Sequence, residues 1–225
     1  MTRRVIDLSV PIETGHFRWT VERRLLKSHD TPGSYTQATW IGWPIHGFSH
    51  MDAGRHFQPG GQTTSDIPLD RCIGSAVVLD LTEAQENAPI PTELIERAGA
   101  DLREGDIALL HTGWDRRASI SEPRFWDTAP WMAAEGCRFL RSRGIKAVGF
   151  DFPQDRCIRD FVTGARKPAL EENTTHVELL LHGITMMEYL CNFGAISRPR
   201  VEFVALPLSI PDCDGAPVRA IAIES

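Results

Sequence analysis

His46, His50, Asp52 and His56 lie within eleven consecutive residues, and no other feature of the 225-residue chain restricts its fold as tightly. Three imidazoles and a carboxylate offer borderline nitrogen and hard oxygen donors together, a mixture suited to zinc, manganese or iron. All four positions share one parity, so on extended backbone they project from a single side. A helix fails this test, because Asp52 would stand about 240° round the axis from His46. The motif therefore predicts a strand running into a tight loop, with Gly47 and Gly54 easing the turns. The chain has eight histidines, and three of them in one short run beside an aspartate argue against a chance surface loop.

A metal site also needs ligands from elsewhere, and the comparable cluster is Thr174 to Glu188, with His176, Glu178, His182 and Glu188. Thr174 or Thr175 can cap a short helix, Leu179 to Leu181 continue it, and Gly183 ends it. Ile184 to Met187 then reads as a short buried strand delivering Glu188. On one unbroken helix His176 and Glu188 would stand about 18 Å apart. The break at Gly183 lets the chain fold back and bring them together. Glu178 and His182 read as solvated helix positions or caps.

These two stretches resemble the signature of the metal-dependent cyclase-like hydrolases, the family that contains bacterial kynurenine formamidase and isatin hydrolase. Its first pattern is His-x-Gly-Thr-His-x-Asp-x-Pro-x-His, matched by His46, His50, Asp52 and His56; its second, a His and a Glu twelve residues apart, is matched by His176 and Glu188. Weaker likenesses run in order along the chain: Ile6 to Ile12, His111-Thr112-Gly113-Trp114, Gly149 to Asp155, Leu206-Pro207-Leu208 and Asp214 to Ala220. The departures are Phe48-Ser49 for Gly-Thr, Gly54 for the proline, Gln154 for a serine, and the added cation Arg55. They leave the ligand set intact and bear on the substrate.

Composition fits a single-domain enzyme over residues 1–225, with ample chain for a core. A net charge of −6 and no basic run argue against nucleic acid or an anionic membrane as partner. The absence of a long apolar span or signal-like start, and five cysteines without paired spacing, suit the cytoplasm. The pattern is mixed α/β. Strands are expected at Val5–Val10, Thr36–Ile45, Ala76–Leu81, Ile107–His111, Ala147–Phe150, Val201–Leu206 and Val218–Ile223, and helices at Pro91–Ala98 and Trp131–Arg143, besides the one carrying His176. Gln58–Ile67 and Ile158–Glu172 read as loops over the site.

The resemblance implies a swivelling β/β/α layout, a homo-oligomer (dimer or tetramer) and a small-molecule substrate. It also implies one or two divalent ions, zinc or manganese, per chain. His46, His50 and Asp52 would hold the first, and a second would share Asp52 and take His176 and Glu188. His56 would shuttle the proton that an amide leaving group needs, or else serve as a further ligand or orient Asp52. Trp19 falls where the formamidases place a substrate-facing tryptophan, and with Phe17 and Phe48 it would wall a flat ring; the other reading is a core tryptophan. The implied activity is arylformamidase in tryptophan degradation through kynurenine. A cyclic amide hydrolase, a dehydratase or cyclase with Arg55 as carboxylate clamp, and a catalytically silent metal binder are the alternatives.

Overall fold

In the computed structural model, which describes residues 3–224, four parallel strands form the middle of a nine-stranded sheet. They are β5 (Ile73–Asp80), β6 (Ile107–His111), β7 (Ala147–Phe150) and β8 (Thr185–Glu188), with β1 to β4 preceding them in the chain. Their apolar runs suit burial on both faces. In β6, Ala108 and Leu110 face one apolar cluster and Ile107 and Leu109 the other. The connections carry α1 (Thr92–Ala98), α2 (Trp114–Arg117), α3 (Pro123–Asp127), α4 (Ala134–Ser142), α5 (Ile158–Thr163) and α6 (Thr174–Glu178). Helices α1 and α4 pack closely, since a Cβ at Gly136 would come within 2.4 Å of the Ile95 Cδ1. Gly144, at φ +70°, closes the chain turn after α4.

Antiparallel strands extend the sheet on both sides. Beyond β5 lie β9 (Arg200–Val204), β11 (Ile221–Glu224) and β1 (Arg4–Asp7). Beyond β8 lie β4 (His50–Asp52) and β10 (Gly215–Pro217). Burying both faces of the centre and adding strands of both directions gives the mixed α/β architecture expected. No helix among the described residues is long and apolar enough to cross a membrane.

Several local expectations change. The expected strand Val218–Ile223 starts late, at Ile221 in β11: Val218 makes only an isolated bridge with Pro207, residues 219–220 are irregular, and β10 lies before the expected range. The helix expected from Trp131 starts at Ala134, because Trp131 makes a bridge with Pro89. Ile158–Glu172 is not a plain loop: it contains α5 and a 3₁₀ turn at Leu170–Glu172. A strand without amphipathic alternation, β2 (Glu22–Lys27), pairs with β3 (Ala38–Gly42) as a separate two-stranded arm, and all six β2 residues are exposed.

Candidate metal centre

Strand register supplies the first half of the site. β4 runs antiparallel to β8 with His50 directly opposite Glu188, and His50 and Asp52, two residues apart, share a face. Met51 between them points into the apolar core and is fully buried. The His50 Nδ1–H donates to the Phe48 carbonyl at 2.8 Å. A carbonyl can only accept, so the contact fixes a hydrogen on Nδ1 and turns Nε2 toward the site. That atom lies 3.3 Å from Asp52 Oδ1 and 3.7 Å from Glu188 Oε2.

His46 reaches the same place by another route. It sits in a turn, not on the strand, so the shared parity of the motif holds for His50 and Asp52 only. The left-handed residue of that turn is Phe48, at φ +60°, where the family pattern carries glycine; Gly47 instead permits close approach to the Pro44 carbonyl. His46 Nδ1 lies 2.8 Å from Asp52 Oδ1, and its Nε2 is 2.8 Å from Asp214 Oδ2. His56 ends a 3₁₀ turn at Gly54–His56 and stacks on His46 with ring centroids 3.8 Å apart.

Helix α6 supplies His176. Asp155 accepts from the Thr175 N–H at 2.7 Å near the start of the helix, a role expected of Thr174 or Thr175. The same carboxylate accepts from His176 Nδ1–H at 2.7 Å. His176 Nε2 is left 3.4 Å from Asp52 Oδ2 and 3.3 Å from Glu188 Oε1. Gly183, at φ +78°, turns the chain into β8 and so brings Glu188 back to His176.

Six side chains therefore converge. His46, Asp52 and His56 place one donor atom each within 4.8 Å of one another, and so do His50, Asp52 and Glu188. Asp52 belongs to both groups. Two atoms at the centre, His50 Nε2 and Asp52 Oδ2, are buried without a hydrogen-bond partner among the described residues. Leaving such atoms unpaired costs roughly 1–3 kcal/mol each, and a divalent cation would satisfy both. The donor set fits zinc or manganese.

Charge distribution agrees. Burial disfavours the charged form of His46, yet the Asp52 and Asp214 carboxylates outweigh it and raise its pKa to about 9. His176 is likewise raised, against burial, by Asp155, Asp52 and Glu188. Burial opposes ionisation of Asp52, but the His176, His46 and His50 rings around it hold its pKa well below the usual carboxylate range. His56 is different: burial lowers its pKa, so the ring is mainly neutral near pH 7.

A cavity of about 390 Å³ opens onto His46, His56, His176 and Glu188, with Phe57, Phe161, Tyr189 and Arg18 among its other walls. Trp19 is not one of them. It is 5% exposed and packed on His16, Phe48, Trp126 and Tyr189, which places it behind the cavity wall as a core residue. Phe48 is also buried, and Phe17 is half exposed outside the cavity. Arg55 turns away to Asp212 and does not line the cavity. Gln154 is fully buried and donates to Glu188, so it braces a candidate ligand. His182 is exposed, as expected of a solvated position, whereas Glu178 is mostly buried and tied to Arg138 and Arg141 by ion pairs instead of being solvated. Burial pushes the Cys157 and Cys191 thiols up to about 12, which makes both poor nucleophiles.

Residues 6–154 match the family model described as "Putative cyclase", about two thirds of the chain. The chain belongs to the cyclase family. Among cyclase-family relatives, it is 26% identical over 232 aligned residues to kynurenine formamidase of Bacillus mycoides (strain KBAB4), covering 98% of this chain and 97% of that protein. Kynurenine formamidase of Bacillus anthracis is 25% identical over 98% of this chain and 97% of its own. A solved structure described as a potential metal-dependent hydrolase with cyclase activity superposes with a TM-score of 0.75 at 24% identity, covering 100% of this chain and 99% of that one. Isatin hydrolase A from Labrenzia aggregata, bound to benzyl benzoate, gives 0.76 at 21% identity over 98% and 93%. The likeness to these structures is one of fold.

Proposed function

We propose that this cyclase-family chain is a metal-dependent hydrolase of an amide bond, with N-formylkynurenine or a similar aryl formamide as substrate. His46, His50, Asp52, His176 and Glu188 would hold one or two divalent ions. The observation that carries the reading is the convergence of His50 and His176: each commits its Nδ1 hydrogen to a fixed acceptor and aims Nε2 at Asp52 and Glu188, beside a cavity. Such outer partners fix a ligand's tautomer and orientation.

A divalent ion there supplies a Lewis acid and lowers the pKa of water to about 7. The remaining work belongs to the chain. His56, mainly neutral near pH 7, is suited to accept a proton from the attacking water and return it to the leaving nitrogen. A C–O bond forms and the C–N bond breaks; the proton relayed by His56 makes the neutral arylamine, and the water's second proton goes to solvent as formate departs as its anion. Asp155 and Asp214 orient His176 and His46. Kynurenine formamidase relatives spanning 97% of their own length support the formamide over other amides.

The test is turnover of N-formylkynurenine, isatin and simple lactams by protein stripped with a chelator and then reloaded with manganese or zinc. Formamide hydrolysis should vanish on stripping and return on reloading. Activity that survives complete metal removal overturns the mechanism. Turnover of isatin alone transfers the substrate to the cyclic amides, and metal uptake without any turnover identifies a silent binder.

A further inference from the structure

Arg18 is the one Arg or Lys side chain on the wall of the metal-site cavity. It forms no salt bridge among the described residues, although the chain pairs many of its other arginines with carboxylates. Its guanidinium is nevertheless held in place. It lies 4.2 Å from the Trp126 ring centroid and 5.1 Å from that of Trp19, and Nη1 donates to the Tyr189 hydroxyl at 3.4 Å. Aromatic faces fix a guanidinium plane without neutralising it, so its remaining N–H donors stay free. A half-buried cation that is oriented but unpaired, facing a cavity with Phe57 and Phe161 in its wall, is a ready receptor for a planar anion.

We infer that Arg18 is a specificity-determining residue that binds a carboxylate of the substrate, so that the site takes anionic aryl amides in preference to neutral ones. This deepens the hydrolase reading and rests on it only in taking the metal-site cavity as the substrate site. It separates the two substrate readings as well, because N-formylkynurenine carries a carboxylate and isatin does not. Trp19 and Trp126 support the arginine from behind, and Arg55, the cation next to the histidines in sequence, points elsewhere.

The experiment compares metal-loaded wild type with Arg18→Met and Arg18→Lys, using two pairs of compounds. The substrates are N-formylkynurenine and its neutral counterpart 2-formamidoacetophenone. The ligands are kynurenine and 2-aminoacetophenone, with binding read by quenching of tryptophan fluorescence. Arg18→Met should raise the KM of N-formylkynurenine and the Kd of kynurenine about 10- to 100-fold, the range for a hydrogen bond to a charged group. The neutral compounds should change less than about threefold, and Arg18→Lys should recover part of the loss. Equal weakening of both members of a pair would show a merely structural arginine and overturn the inference, as would wild-type protein that binds the neutral ligand as tightly as kynurenine. If wild type hydrolyses neither formamide yet prefers kynurenine through Arg18, the hydrolase reading fails and the anion site stands.

Discussion

At the scale of single residues, Asp52 and His56 separate binding from proton transfer. Asp52 is the carboxylate common to both donor groups, so Asp52→Ala should lose metal and activity together, measured by elemental analysis and formamide turnover. His56 has a lowered pKa and an open face on the cavity, so His56→Ala should keep most of the metal and lose on the order of 10² to 10⁴ in kcat. If His56→Ala empties the site, His56 is a ligand. His46 adds a pH dependence. In metal-free protein its pKa is raised from 6.5 to about 9, so its contribution to stability is full below pH 6.5 and lost as pH rises through 9. Chelated protein should therefore melt at a falling temperature between pH 6.5 and pH 9, with His176, also raised, adding to the trend. Metal uptake over that interval should release protons, detectable in weakly buffered solution. A melting temperature that rises with pH would contradict this charge assignment.

Individual residues also show where reading the sequence stops. His46, His50, Asp52, His56, His176 and Glu188 are legible because ligand chemistry depends on residue type and spacing. Asp155, like Asp151, reads from the sequence either as a carboxylate supporting the ligands or as a turn residue after a strand, and Asp214 only as part of a loosely matching segment; a 2.7 Å contact to His176 and a 2.8 Å contact to His46 decide their roles in three dimensions. Arg18 and Trp19 are neighbours in sequence, and only the fold decides that the arginine faces the cavity and the tryptophan the core.

At the scale of elements, the site depends on one narrow strand, β4, clasped between β8 and β10. The β10 register sets Gly215 opposite Asp52. A Cβ at Gly215 would meet His46 Cε1 and Ile45 Cγ2, each at 2.8 Å. Gly215→Ala should thus displace His46 and weaken metal binding at a stability cost of about 1–3 kcal/mol, the usual penalty of overpacking; calorimetric titration with manganese and thermal melts would measure both. Unchanged affinity would show that the turn around His46 yields easily. The apolar runs of β6 and β7 were legible to their ends, because a doubly buried strand leaves a continuous signal. The arm strand β2 gave none, since its Glu-Arg-Arg-Leu-Leu-Lys sequence is exposed throughout and nothing enforces alternation. The sequence offers Gly47 and Gly54 to ease the turns of the metal motif, whereas the left-handed residue is Phe48, held by its burial against Trp19.

At the scale of the whole molecule, sheet topology gathers ligands that the chain keeps far apart. β4 comes from the first quarter of the sequence and β8 from the last, and only their antiparallel pairing sets His50 against Glu188. The central claim is that this pairing builds a divalent-metal centre around Asp52. Anomalous diffraction from crystals of active protein loaded with manganese tests it most directly. The account predicts one or two peaks in contact with Asp52, at least one of them also touching His50 Nε2 or His176 Nε2. Active crystals with no peak at Asp52, or with manganese bound only elsewhere, would contradict it.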